Sequence, residues 1–336
     1  SKMAELPIVK HLKIEKLFGY NDININFNAV TVIVGKNGMG KTTLLKILQC
    51  LLSDKADTSI LKKCKSAYIS LSGNNKITYG ETPKEELSDF AKSVIEYTLE
   101  SFNNDKSISK KMLNIMKESI ENKDIMDKWL LSIAPENYKN SNLYHTFNRH
   151  IRYSNPHRKV NVRYISTVNI SANSDKNLDI GNSIEKNILN LAIEDELRGL
   201  TTSKNNKKVI GILIETLNEL FSETRKICKI KNNIFFCEDT ISKETLNISQ
   251  LSSGERQLIY ILATAANTYG KPAVFLMDEP EISLHMSWQE TIINSIRKIN
   301  PQIQLIIVTH SPAIVMNGYM DAYVDIKNIV TESSHG

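Results

Sequence analysis

With 336 residues the chain is long enough for one large or two ordinary domains around a sizeable core, and 41% hydrophobic with 24% charged residues is ordinary globular composition. The formal net charge of +5 permits nucleic acid as a partner without requiring it. No apolar run approaches the ~20 residues of a membrane helix, and the N-terminus lacks the charged-then-apolar plan of a signal peptide, so a cytoplasmic location and no membrane partner are expected.

Residues 8–14 and 23–27 alternate apolar and polar side chains around Phe18-Gly19-Tyr20-Asn21-Asp22 and predict a strand pair. Phe18 or Tyr20 at that turn is either packing or a stacking face for an adenine. An apolar run at 30–34 then leads into Gly35-Lys36-Asn37-Gly38-Met39-Gly40-Lys41-Thr42, followed by Thr43 and an apolar-periodic run at 44–52. A Gly-x-x-x-x-Gly-Lys-Thr loop between a strand and a helix is a phosphate loop in its required context. The glycines let backbone N–H groups wrap a polyphosphate, and the helix start adds unpaired N–H groups and a positive dipole end. Lys41 is expected to neutralise the β- and γ-phosphates of ATP, and the Thr42 hydroxyl to hold Mg²⁺, which prefers oxygen ligands.

Residues 66–70 and 76–79 flank Ser72-Gly73-Asn74-Asn75 and predict a hairpin. From about 82 to 153 the pattern is helical, with Ile108, Met112, Ile115, Met116 and Ile120 at helical spacing, and predicts a helical insertion with an apolar face. Arg149, Arg152, Arg158, Lys159 and Arg163, interleaved with Tyr144, Phe147 and Tyr153, form a basic cluster that is either a solvated face or a nucleic-acid contact. A strand is predicted at 162–167, helices at 184–200 and 209–221, and a short strand at 234–237. Cys50, Cys64, Cys228 and Cys237 lack C-x-x-C spacing and suggest neither zinc nor a disulfide framework.

In the last third, Leu251-Ser252-Ser253-Gly254-Glu255 opens an apolar-periodic helix at 258–266, and Ser252 with Glu255 fits a capping box. The apolar strand 273–277 then ends in Asp278-Glu279. Desolvated carboxylates cost several kcal/mol unless partnered, and a Mg²⁺ beside the phosphate loop supplies a partner. Asp278 is expected to anchor the metal, and Glu279 to orient or deprotonate the attacking water. After Glu281-Ile282-Ser283-Leu284-His285 and a helix at 288–300, the strand 304–309 ends at His310. Ligands of open α/β sheets bind outside such strand ends, which places His310 at a phosphate.

These motifs, in this order, resemble the ABC-type ATPases, over roughly 1–75 and 160–325. Phe18-Gly19-Tyr20 and Asp278-Glu279-Pro280-Glu281 look similar to the soluble branch that includes RecF and the overcoming-lysogenisation-defect group, to which ATPases of the anti-phage systems Septu and PARIS are related. The resemblance implies an α/β fold, an ABC-type P-loop NTPase head with a mixed core sheet, an antiparallel β subdomain and a helical insertion. It divides the chain into an N-lobe at 1–80, the insertion at 81–159 and a C-lobe at 160–336.

The resemblance also implies an ATPase whose two heads sandwich ATP head to tail, making a homodimer or higher homo-oligomer. Ser252, Ser253, Gly254 and Glu255 would then meet the nucleotide of the other subunit, His310 would sense the γ-phosphate, residues 281–285 would lie at the subunit seam, and no arginine finger would be needed. The family's Q-loop glutamine has no counterpart near 168–174, where Asn169 and Asn173 stand. Only 26 residues follow His310, too few for the Toprim nuclease of better-known members. A separate toxin or nuclease effector under the control of this ATPase is therefore expected, with a RecF-like DNA clamp and a transporter subunit as alternatives.

Overall fold

The computed structural model describes residues 6–53, 58–81, 149–155, 159–166, 177–179 and 185–334. The chain opens with β1 (Val9–Leu17) and β2 (Asn21–Asn26), paired antiparallel across the Phe18–Gly19–Tyr20 turn as their alternation predicts. β4 (Ser66–Leu71) and β5 (Asn75–Glu81) form the predicted hairpin against β1. With β6 (Arg149–Tyr153) and β16 (Val330–Glu332) they complete a six-stranded antiparallel sheet in the order β16-β2-β1-β4-β5-β6.

The second sheet is parallel throughout: β15 (Tyr323–Asp325), β3 (Val30–Val34), β14 (Ile303–Thr309), β13 (Ala273–Asp278) and β7 (Val162–Ser166), in that order. Every residue of β13 and β14 is buried. That is why these strands read as continuous apolar runs, as parallel strands covered on both faces do. Because side chains alternate, Phe275, Met277, Leu305 and Ile307 fall into one core, and Val274, Leu276, Ile306 and Val308 into another.

The first core is closed by α2 (Ile188–Thr201), α3 (Lys207–Phe221), α4 (Ser253–Ala266) and α5 (Met286–Ile299), and the second by the antiparallel sheet and α1 (Lys41–Leu52). Burying one large apolar side chain contributes about 1.5–3 kcal/mol, and Phe275, Trp288 and Phe221 are fully buried in the first core. Two polar groups inside are satisfied. Trp288 Nε1 donates to Leu220 O at 3.1 Å, and fully buried Gln304 bonds both the N–H and the carbonyl of Val9 at 2.8 Å, stitching one sheet to the other.

Several elements differ from expectation. The helix expected from 184 starts at Ile188, because the Asn187 side chain accepts from Leu189 N and Asn190 N and caps it there. Before it lies a small hairpin of β8 (Asn177–Asp179) and β9 (Glu185–Asn187). The short strand at 234–237 is part of a three-stranded sheet of β10 (Lys226–Lys231), β11 (Ile234–Asp239) and β12 (Thr245–Leu246). That sheet sets Cys228 opposite Cys237, their Sγ atoms 3.3 Å apart as free, buried thiols. Residues 149–153, expected in the helical insertion, form β6, whose Ile151 and Tyr153 pack on the second core. The Met/Ile stripe of the insertion, the 168–174 stretch and Arg158 lie outside the described residues. No described helix is long and apolar enough to cross a membrane.

Candidate nucleotide site

The phosphate loop is fixed by two glycines. A Cβ on Gly35 would lie 2.3 Å from Ile326 Cγ2, so the loop can pass that side chain only as glycine. Gly40 has φ 90° and precedes α1 without any side-chain cap, leaving the first N–H groups of the helix without intrahelical acceptors. The loop and helix start open onto a cleft of about 160 Å³ lined by Phe18, Asn37, Gly38, Gly40, Lys41, Thr42, Thr43 and Glu279. Phe18, 40% exposed, is on the cleft wall with Lys63 Nζ 5.8 Å from its ring centroid. Tyr20 is not part of that lining.

Lys41 is buried, and its ammonium donates to the carbonyls of Gly35 and, at 3.2 Å, Thr309. Desolvation lowers its pKa, opposed by the charges of Glu279, Glu281 and Asp278. Thr42 Oγ1 donates to Asp278 Oδ1 at 3.2 Å. Tyr164, in the middle of β7, donates its hydroxyl to Asp278 Oδ2 at 3.0 Å, and burial followed by the Asp278 charge raises the phenol pKa. Asp278 is itself 3% exposed, and desolvation holds its carboxyl above the ordinary range although Tyr164 and Thr42 pull the other way.

These residues fit Mg²⁺ and a polyphosphate. A buried carboxylate short of compensating charge stands beside a hydroxyl, a lysine and a collar of backbone N–H groups. Glu279 follows in the left-handed region with φ 49°, a conformation that costs a non-glycine residue of order 1 kcal/mol or more and is typical of functional sites. Its N–H donates to Val308 O at 2.8 Å, which turns the chain out of β13 toward the end of β14. There, His310 Nδ1 lies 3.3 Å from Glu279 Oε1 and equally 3.3 Å from Glu281 Oε1. Glu281 also accepts from the His310 N–H at 3.2 Å and is 7% exposed, so it points inward while Ile282 and Met286 beside it are exposed.

The start of α4 is a complete capping box: Ser252 Oγ accepts from Glu255 N at 3.2 Å, and Glu255 Oε1 from Ser252 N at 2.9 Å. Glu255 is fully buried, receiving Lys226 Nζ at 2.6 Å and Thr224 Oγ1 at 2.7 Å. Burial alone would raise its pKa, but these bonds outweigh it and hold the carboxyl low. Ser252 and Ser253 are exposed, whereas Gly254 and Glu255 are buried and shape the turn that the serines present.

Lys41, Thr42, Asp278, Glu279 and His310 therefore converge at the C-terminal ends of three neighbouring parallel strands, as ligand-binding groups of open α/β sheets do. Tyr164 and Lys226 escaped the sequence reading because neither lies in a recurrent motif; both act through distant residues. Of the basic cluster, Arg152 is in β6, Arg163 is in β7 and pairs with Glu196 of α2 at 3.4 Å, and Lys159 precedes β7. Arg149 enters only through the backbone of β6.

The family model described as "AAA domain, putative AbiEii toxin, Type IV TA system" matches residues 30–317. The Septu protein PtuA of Bacillus thuringiensis is 23% identical over 330 residues, covering 92% of this chain and 73% of PtuA. The Retron Ec83 probable ATPase of Escherichia coli is 33% identical over 81 residues, 21% of this chain and 15% of that protein. The Retron Vc95 probable ATPase of Vibrio cholerae is 33% identical over 84 residues, 21% of this chain and 16% of that protein. The chain thus spans less than a fifth of either retron ATPase. Among solved structures, the SMC head domain from Thermotoga maritima aligns with TM-score 0.44 and 13% identity over 98% of this chain and 100% of that one. An SMC head bound to the C-terminal winged-helix domain of ScpA aligns with TM-score 0.46 and 15% identity over 93% and 92%. The match of the family model across most of the chain makes this protein a member of that AAA-domain family.

Proposed function

We propose that the protein hydrolyses ATP in the cleft between α1 and the ends of β13 and β14, associates head to tail around that ATP, and in the associated state controls a separate toxin or nuclease in anti-phage defence. The observation that carries the reading is the meeting of Lys41, Thr42, Asp278, Glu279 and His310 at one end of the parallel sheet. Lys41 exchanges its carbonyl partners for phosphate oxygens, and the free N–H groups of the loop and of α1 bind the rest of the chain of phosphates. Thr42 and Asp278 would hold Mg²⁺, which supplies charge neutralisation at the phosphates when bound. Glu279 accepts a proton from the water whose oxygen attacks the γ-phosphorus as ADP leaves. His310, which stands between Glu279 and Glu281, would contact the γ-phosphate, and Phe18, on the cleft wall, would stack on the base.

Association is supported by the exposed serines at the cap of α4 and by exposed Ile282 and Met286 after the Asp-Glu pair. Each Ser252–Ser253 turn would donate to the nucleotide of the facing subunit, a role otherwise filled by an arginine finger. The defence setting is supported by a relative, named as a Septu protein, that aligns along nearly the whole chain.

The test is affinity purification of Glu279→Gln from its host with ATP and Mg²⁺, followed by native mass spectrometry. A dimer or larger assembly with a second protein in fixed stoichiometry is the expected result. A bare dimer carrying nucleic acid would replace effector control with DNA clamping, and a monomer at every ATP concentration would end the association reading.

A further inference from the structure

Gln289, in the first turns of α5, is 8% exposed and joins two segments that the sequence keeps apart. Its Nε2 donates to the carbonyls of Glu281 at 3.3 Å and Leu284 at 2.9 Å. Its Oε1 accepts from the Oγ of Ser311, the residue after His310, at 2.9 Å. Both amide donors are thus spent on the 281–284 turn and the acceptor on the switch loop. The path continues to the nucleotide cleft, since Ser311 N–H donates to Thr309 Oγ1 at 2.9 Å and the Thr309 carbonyl is a resting partner of Lys41. A second strand of the same connection runs beside it through Glu281, whose Oε1 faces His310 while its Oε2 is buried with no hydrogen-bond partner.

A buried carboxylate oxygen left unbonded favours any rearrangement that brings it a donor. Movement at the histidine therefore has a reason to be answered in the turn. That turn carries Ile282, 49% exposed, and Met286, 61% exposed, so a shift of its backbone changes the surface the molecule offers there.

We propose that Gln289 is a positioning residue coupling the His310–Ser311 switch loop to the 281–284 turn, so that γ-phosphate arriving at His310 resets the surface at Ile282 and Met286. This rests on the ATP-site reading above and adds the residue through which the site addresses its partner-facing surface. Coupling of this kind needs an element with two arrangements that both sites bias, and the turn is that element.

The experiment compares hydrogen exchange of amides 282–285 with and without a non-hydrolysable ATP analogue and Mg²⁺, in the wild type, Ser311→Ala, Gln289→Met and the double variant. Sedimentation gives the dimer constant alongside. The wild-type turn should change its exchange rate on binding the analogue. Ser311→Ala should keep analogue affinity within about twofold, lose most of that response, and need about tenfold more protein to dimerise. Gln289→Met should behave the same way, and the double variant should be no worse than Gln289→Met alone, because the two residues act in one path. A wild-type turn indifferent to the analogue, a full response in Ser311→Ala, or additive losses in the double variant would overturn the coupling. Should Gln289→Met fail to fold, Ser311→Ala decides, since it removes a single hydroxyl and leaves both turn anchors in place. A wild type that binds the analogue but stays monomeric would end the sandwich reading, while the exchange response would still judge the coupling.

Discussion

At the scale of single residues, Asp278 shows what the site costs the fold. Desolvation keeps its carboxyl pKa above the ordinary carboxylate value, so the folded chain holds that proton more tightly than the unfolded one. Stability from this group therefore falls as pH rises from about the unfolded value through the raised folded value, and at neutral pH the charge is destabilising. Asp278→Asn should raise the melting temperature of the nucleotide-free protein by about 2–4 °C, since the amide can still accept from Tyr164 and donate to Thr42. The same variant should lose Mg²⁺-dependent turnover. A melting curve that drops instead would show that the carboxylate is better solvated than its 3% exposure implies.

Glu279 makes a different prediction. Glu279→Gln keeps the strained backbone and the size of the side chain but loses the base, so ATP binding should survive while turnover falls about 10²–10⁴-fold. Steady-state hydrolysis with a parallel binding titration checks both halves. Lys41→Ala, by contrast, should remove nucleotide binding itself. The strand, loop and helix around Lys41 and the buried strand ending in Asp278 were legible in the sequence, because each is written in a short contiguous pattern. Tyr164 was not, as nothing near position 164 says that its hydroxyl will reach across from β7 to the end of β13.

At the scale of elements, the start of α4 joins local and distant information. Ser252 and Glu255 three residues on make a capping box that can be read directly, and the structure contains it in full. The Lys226 and Thr224 that neutralise and satisfy Glu255 come from the entrance to β10, some thirty positions earlier. Lys226→Met would leave a buried carboxylate without its cation and should cost about 3 kcal/mol by urea unfolding at neutral pH. Glu255 is held below its ordinary pKa of 4.5, so its contribution is present above that value and disappears as pH falls through the lower folded one. The Lys226→Met deficit should shrink accordingly in acid, and a deficit unchanged with pH would place the loss in packing of the lysine stem.

The same division explains the element boundaries. The helices over 207–221 and 286–299 follow strong apolar periodicity and were placed within a few residues, while α2 begins later than its pattern because Asn187 caps it. β6 and β10, in Arg149-His150-Ile151-Arg152-Tyr153 and Lys226-Ile227-Cys228-Lys229-Ile230-Lys231, carry charge at two of five and three of six positions. Their strand character comes from pairing with β5 and β11 rather than from an apolar pattern of their own.

At the scale of the whole molecule, the head-to-tail reading makes a prediction independent of chemistry in the cleft. Ser252→Arg adds bulk and charge to an exposed cap and should leave ATP affinity unchanged while blocking association, as read by sedimentation with ATP and Glu279→Gln in the background. Association at the wild-type midpoint would move the partner surface elsewhere.

What the sequence determined by itself is a set of local patterns: a glycine-rich loop between a strand and a helix, a carboxylate pair ending a buried strand, a histidine after another and a capped helix start, each readable because it is written in neighbouring residues in a fixed order. Only the tertiary structure decided how they meet. Parallel pairing of β3, β14 and β13 carries Lys41, His310 and Asp278 to one edge, and the Gln289 amide bridges a turn to a loop across the same edge. These contacts join residues up to 268 positions apart, and such pairings depend on which strands share a sheet, a property no local pattern carries.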